Sequence, residues 1–243
     1  MFFRYQGGRR KAMDLDGLFS GPCFLFGGSP YINEVKNKFD NKLIVKMVMN
    51  NTATIIRPDL WVGADIAENY SASILMDPAP MKFTYITRKN CMIGDKRWRD
   101  MPNTYFMASE KMEPNVFYLR GRNFTWCKNV FTLAIQVAYR LGFNEVYLVG
   151  CSFVTNKNNI YCYERKLNDV QIGYNQRTYD MALRQIKEIL PYAKEFDFKI
   201  ISCTPGSKIN DMVEYYDISQ ALRKATSQIP SHKTTDCRHP KPD

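Results

Sequence analysis

A single Rossmann-like α/β domain, with a mostly parallel sheet covered by helices on both faces, is predicted by three observations. Short apolar runs of the kind that fill buried strands alternate with helical patterns along most of the chain. Several of those runs stop at turn residues, as at Gly27-Gly28, Asn50-Asn51 and Gly150. One helix-to-strand unit, from Val130 to Gly150, is written with little ambiguity. Parallel strands need crossover connections, and the alternation supplies them.

The elements follow in order. Cys23 to Phe26 is a short buried strand ending at two glycines, and Pro30 to Phe39 places Ile32, Val35 and Phe39 on one helical face. Ser29 suits an N-cap and Pro30 the first helical position. Leu43 to Met49 and Leu60 to Ala64 are the next strands, the second leading to Asp65; Ala72 to Met76 and Lys82 to Ile86 are further strand candidates. The charged stretch 90–115 has little periodicity and is expected to be an inserted loop, a lid or acceptor-binding segment. Val130 to Leu141 is a helix with Val130, Ala134, Val137, Ala138 and Leu141 on one face and Gly142 after its end. Glu145 to Val149 is a buried strand. A helix over Thr178 to Phe196 should kink or split at Pro191. Lys199 to Cys203 gives the last strand and Asp211 to Leu222 the last helix. The expected organisation is a basic N-terminal extension over 1–20, the nucleotide-binding domain over 21–226 and a disordered polar tail over 227–243.

Composition narrows the function. The 243 residues suit one domain, and a 45% hydrophobic fraction can fill its core. No apolar run reaches the ~18 residues of a membrane span, and the first residues lack a signal peptide's apolar stretch, so a cytoplasmic protein without a transmembrane segment is expected. Seven cysteines, with no CxxC spacing, read as buried free thiols rather than a disulfide or zinc framework. A formal charge of +10 favours anionic partners; the basic residues are spread along the chain apart from Arg9 to Lys11 and the Lys96–Arg99 region. Both histidines, His232 and His239, lie in the tail, so a Ser-His-Asp triad and a histidine metal site in the folded core are excluded; no metal ligands are assigned, and a divalent metal as cofactor stays open.

In parallel sheets ligands bind beyond the carboxyl ends of the strands. The turn Gly27-Gly28-Ser29-Pro30 lets the backbone approach a phosphate without a Cβ in the way, or is simply a tight turn. Asn50 and Asn51 could read a base or ribose, or form an ordinary turn. Asp65 could meet a ribose hydroxyl or a divalent cation, or cap the following segment. The interleaved Arg120-to-Lys128 segment, which includes Arg122, could hold phosphate and stack a base.

The GGSP turn after a strand, the segment VFTLAIQVAYRLGFNEVYLVG over 130–150 and KIISCTPGS over 199–207 resemble a known group. They are similar to small bacterial sialyltransferases that decorate lipo-oligosaccharide, and to the related flagellin-glycosylation motility factors and hydroxymethylpterin pyrophosphokinases. The resemblance implies a GT-A-like variant of the fold and a nucleotide-sugar donor. It places Gly27, Gly28 and Ser29 at the donor phosphates, Asn50 or Asn51 at the ribose or base, Asn129 near the nucleotide sugar and Tyr161 near the departing phosphate. In such a transfer Lys128 or Arg122 could neutralise the charge of the leaving group. Cys127-Lys128-Asn129 stands where the group has Thr-Ser-Gly, and Ser152 where it has Asp. The group's catalytic histidine has no counterpart, which leaves Asp180 as the carboxylate that could act as base.

The expected activity is therefore glycosyl transfer from a nucleotide sugar to an acceptor hydroxyl, possible acceptors including a modified nucleic acid or a glycan. A metal-dependent pyrophosphokinase relying on Asp65, and a catalytically silent binder of nucleotides or anionic polymers, are the alternatives.

Overall fold

A computed structural model describes residues 1–40, 43–110, 124–125, 127, 129–155, 161–163 and 167–228. The expected Lys128, Arg122 and most of the tail, with both histidines, lie outside the described residues. The strands are β1 Phe2–Gln6, β2 Arg9–Met13, β3 Pro22–Phe26, β4 Lys46–Met49, β5 Leu60–Val62, β6 Met81–Tyr85, β7 Met92–Ile93, β8 Lys96–Arg97, β9 Thr104–Met107, β10 Ser109–Glu110, β11 Phe124–Thr125, β12 Glu145–Val149 and β13 Lys199–Ser202. The α-helices are α1 Ile32–Val35, α2 Ala72–Met76, α3 Val130–Arg140, α4 Asp169–Glu195 and α5 Ile218–Ser227.

Nine strands form one sheet in the order β13-β12-β3-β4-β5-β6-β9-β1-β2. The first seven run parallel; β1 joins β9 antiparallel and β2 joins β1 antiparallel. The chain starts the parallel set at β3, works outward through β4, β5, β6 and β9, then returns to place β12 on the other side of β3. The strand order therefore reverses between β3 and β12, where an open α/β sheet leaves a crevice.

Side chains alternate across the strands and feed separate cores. Cys23, Leu25, Met47, Val146, Leu148 and Ile200 face α3 and α4. Phe24, Phe26, Val48, Tyr147, Val149 and Ile201 face α1 and α5. Farther along that second face, Trp61, Trp98 and Phe106 pack with Ile74 and Leu75 of α2. Full burial of each large apolar side chain contributes roughly 1.5–3 kcal/mol, so both layers of helices are held by the sheet. Lys82 of β6 is fully buried within this last group. Its ammonium donates to the carbonyls of Asp77 and Pro80 just past α2, and burial lowers its pKa to about 8.

Several expectations need correction. The N-terminal residues are not an extension outside the domain: 2–13 form a hairpin that completes the sheet edge, because Phe2 and Phe3 pack into its two faces. The stretch 90–115 is not one loop either, since it contains β7, β8, β9 and β10 among the described residues. β9 was missed because both its faces are covered, so Thr104, Tyr105, Phe106 and Met107 show no alternation. Ala72–Met76 is a helix rather than a strand, and the last helix begins at Ile218, capped by Asp217, rather than at Asp211. Helix α1 is one turn followed by a 3-10 turn over Lys36–Phe39, and its cap position is Tyr31, not Ser29. Helix α4 starts nine residues earlier than expected and runs unsplit through Pro191, whose ring is exposed.

At the amino end of β12 the buried carboxylate of Glu145 ties three elements together. It accepts hydrogen bonds from the Tyr147 hydroxyl (2.7 Å) and the Gln228 amide (3.1 Å), and lies 3.6 and 3.7 Å from the ammonium groups of Lys199 and Lys224. Burial alone would raise its pKa; the hydrogen bonds and the two lysines outweigh that and hold it below the ordinary 4.5. A depressed folded pKa means that its contribution is complete above pH 4.5 and is lost as pH falls through the folded value. Glu145→Gln is expected to cost about 1–3 kcal/mol in urea unfolding at pH 7, with the gap to wild type shrinking in acid. A gap that is constant down to pH 3 would contradict this.

Candidate functional site

The carboxyl ends of β3 and β12 meet at the strand-order reversal. Gly27 N–H donates to the Val149 carbonyl at 2.8 Å and Ser29 N–H to the Gly150 carbonyl at 2.9 Å. A Cβ on Gly27 would stand 2.4 Å from the Gly150 carbonyl oxygen, so this approach requires glycine. Gly150 itself has φ +69°, and a side chain there would strike Ile32. The turn after β12 is fixed from β13. Thr204 Oγ1 accepts from the Cys151 N–H at 3.1 Å, and Ser207 Oγ donates to the Cys151 carbonyl at 2.6 Å.

Beyond these ends lies a cavity of about 530 Å³, within the range of small-molecule sites. Its floor is Gly27, Gly28, Gly150 and Ser152; one wall is Asn50, Thr52 and Asp65 from the ends of β4 and β5. The first turns of α4 make the opposite wall with Tyr174, Asn175, Arg177 and Tyr179, and Asn129 to Phe131 close it at the start of α3. A strap formed by 161–163 crosses the glycine turn. Cys162 N–H donates to the Gly28 carbonyl at 2.7 Å, and the Asn33 amide donates to the Cys162 carbonyl at 3.1 Å. The Tyr161 and Tyr163 rings stack at 5.0 Å and 7°, and the Tyr161 hydroxyl accepts from the Asn175 amide at 2.9 Å. Tyr161 Cδ1 would be 3.0 Å from a Cβ on Gly28.

Two side chains on the cavity wall carry charge among the described residues, Asp65 and Arg177. They do not pair with each other, and among the described residues the Arg177 guanidinium has no carboxylate within 4 Å. The Gly28 N–H is likewise without a partner there. A free guanidinium and a free N–H on one cavity suit an anion with several oxygens, such as a phosphate. Two non-glycine residues at its rim adopt positive φ, Asn50 at 52° and Phe153 at 56°. Asn50 is held there by Trp61 Nε1–H, which donates to its carbonyl at 2.9 Å, and by the Tyr70 hydroxyl on its side-chain oxygen at 3.3 Å. Such backbone is retained where surroundings impose it, and it concentrates at binding sites.

The expected site residues separate into two groups. Gly27, Gly28, Ser29, Asn50, Asp65, Asn129 and Tyr161 all line the cavity. Asn129 lies there with its amide already engaged: its oxygen caps α3 through the Thr132 N–H at 2.7 Å, and its NH2 donates to Gln185 at 2.8 Å. Asn51 is outside, its amide clamping the Asn69 carbonyl and the Ser71 N–H. Asp180 is also outside, accepting from Gln176 at 2.9 Å and lying 3.7 Å from the Lys208 ammonium. One helical step decides this, since Tyr179 faces the cavity and its neighbour turns away.

Arg177, Tyr174 and Asn175 were not singled out from sequence because 169–177 has no apolar stripe; this end of α4 overhangs the sheet and stays largely exposed. The signal that could have found it is the Asn168…Gln171 pair, which forms a capping box at 2.9 and 3.0 Å. The six cysteines among the described residues are free thiols. Burial pushes Cys151 at the cavity up to about 12 and Cys162 of the strap up to about 11, so they sit as neutral thiols. Tyr179 is held neutral too, pushed well up by burial and by the neighbouring Tyr161.

No protein-family model matches the chain, and no curated protein matches it. Among solved structures it is similar to the MAf glycosyltransferase from Magnetospirillum magneticum AMB-1, with 14% identity and a TM-score of 0.48. The match covers 83% of this chain and 34% of that one, so the chain spans about a third of that protein's length. No helix among the described residues is long and apolar enough to cross a membrane.

The two glycines of the turn should respond differently to substitution. Gly27→Ala forces a Cβ onto a backbone carbonyl and is expected to cost about 1–3 kcal/mol in chemical denaturation. Gly28→Ala meets only the movable Tyr161 ring, so its cost should fall well below that of Gly27→Ala. Equal losses would show that the strap is as rigid as the sheet.

Proposed function

We propose that the cavity binds a nucleotide-sugar donor and that the chain transfers the sugar to an acceptor hydroxyl. The observation that carries this is that Arg177, which has no carboxylate within 4 Å among the described residues, lines the same cavity as the glycine turn at the sheet's strand-order reversal. The donor phosphates would lie beside the Gly28 N–H and Ser29, with Arg177 of the same cavity lining as their counter-charge. Asn50 and the Tyr161–Tyr163 pair offer hydrogen-bonding and aromatic surfaces for the nucleoside. Val170 and Tyr174, 78% and 60% exposed on the rim, mark the side from which an acceptor would enter.

In the proposed reaction the acceptor oxygen bonds to the anomeric carbon as the bond from that carbon to the donor phosphate oxygen breaks. The acceptor's proton passes to the Asp65 carboxylate, and the nucleotide leaves with its new negative charge against Arg177. Asp65 takes this role because, unlike Asp180, it lies on the cavity wall.

Thermal-shift screening against nucleotides and nucleotide sugars tests the binding half. A ligand at 100 times its Kd adds about 2.7 kcal/mol of apparent stability. Arg177→Ala should weaken binding roughly tenfold or more, equivalent to about 1.4 kcal/mol. Asp65→Asn should bind within a few-fold of wild type and lose about 10²–10⁴ of the transfer rate. If no nucleotide raises the melting temperature, the reading fails. Formation of AMP from ATP with magnesium, in place of sugar transfer, would replace it with pyrophosphoryl transfer.

A further inference from the structure

Two basic stretches far apart in the sequence meet on the fold. Residues 1–13 and 88–100 carry nine Lys and Arg against two Asp, so 26 residues hold seven of the chain's ten excess positive charges. The β1–β2 hairpin closes the sheet edge, and the segment after β6 folds against it through the rings of β1. Arg10 lies over the Phe3 ring at 4.7 Å, while Lys89 and Arg99 approach the Tyr5 ring at 5.9 and 6.0 Å. The Arg99 N–H donates to the Lys89 carbonyl at 3.0 Å, and the β7–β8 hairpin presents Lys96 and Arg97 to solvent. Among the described residues Arg9, Arg10, Lys11, Lys89, Lys96 and Arg97 have no carboxylate within 4 Å.

Charges on β2 alone would be accounted for as protection of an edge strand against pairing with another sheet. That does not account for Lys89, Lys96 and Arg97, which lie off the edge. The cations also cover both faces of the hairpin. Arg4 lies over Tyr105 on one face and Arg10 over Phe3 on the other, their cross-strand neighbours being Lys11 and Tyr5. A flat anionic surface would meet one face of that ribbon; a linear polyanion can follow the edge and meet both.

We propose that this edge is a nucleic-acid-binding face, with the phosphodiester backbone running along β2 and across Lys89, Lys96 and Arg97. Guanidinium groups resting on aromatic rings keep their N–H edges directed outward, the geometry in which arginine pairs with phosphate. The inference is independent of what the cavity holds.

Fluorescence anisotropy of the full chain with labelled single-stranded and duplex DNA of about 20 nucleotides, titrated at several salt concentrations, tests it. Saturable binding that weakens steeply with salt is expected for at least one of the two forms. The variant Arg9→Gln/Arg10→Gln/Lys11→Gln should bind roughly tenfold or more weakly and lower the log–log salt slope by about 2–3. Lys96→Gln/Arg97→Gln, on a separate hairpin, should lower it by about 1–2, which guards against a folding defect in the first variant. Lys187→Gln/Lys194→Gln on exposed α4 positions should leave it unchanged. No binding to either form, slopes unmoved by both edge variants, an equal loss in the α4 variant, or tighter binding to phosphatidylserine vesicles would each overturn the proposal.

Discussion

The rest of the structure depends on the approach of two backbones, Gly27 at the end of β3 and Gly150 at the end of β12. Their strands are neighbours in the sheet but the connections leave them in opposite directions, and with side chains on both the ends could not close to 2.4 Å of a would-be Cβ. That contact aligns the register of β3 with β12, turns the chain toward α1 on one face and opens the crevice on the other side of the turn. Thr204 and Ser207 reinforce it from β13, so three adjacent strands contribute to one small piece of geometry.

The two ends of the sheet divide the work. At the amino end of β12, Glu145 gathers Tyr147, Lys199, Lys224 and Gln228 into a satisfied network that joins β12, β13 and the end of α5. At the carboxyl end two polar groups have no such partner among the described residues, the Arg177 guanidinium and the Gly28 N–H, and Asn50 and Phe153 adopt positive φ. A folded chain tolerates such groups near solvent, where water or a ligand can complete them. β6 and β9 lie between the strands whose ends line the cavity and the basic hairpin edge, so the two anion-seeking surfaces belong to different parts of one sheet.

Most of the parallel sheet was legible in the sequence because buried strands and their glycine turns are local signals. Cys23 to Phe26, Glu145 to Val149 and the α3 stripe fall within a residue or so of where they were expected. What escaped depends on partners distant in sequence. β1 and β2 look like a basic leader until β9 lies beside them, and β9 looks like loop because both its faces are covered. The cavity followed the same division. Its glycine floor, Asn50 and Asp65 lie at strand ends and were found by that rule, whereas Arg177 lies on the first turns of α4, which carry no apolar stripe and so leave no periodic trace. Asn51 and Asp180 have the right residue types but point to backbone and to Lys208, a matter of one position along the chain in each case.

The antiparallel hairpin at the sheet edge has a consequence for how the chain reaches its native state. Phe2 pairs with Met107 and Phe3 with Phe106, so β1 finds its partner in a strand that follows β3, β4, β5 and β6 in the chain. A two-stranded hairpin is marginal by itself in water, and pairings this far apart form slowly because the loop between them must first be ordered. During that interval two phenylalanines destined for opposite faces of the sheet are exposed beside a run of arginines. Charge interleaved with apolar residues disfavours association of an unpaired strand, so the residues that make this edge basic also act as gatekeepers for β1 until it is paired.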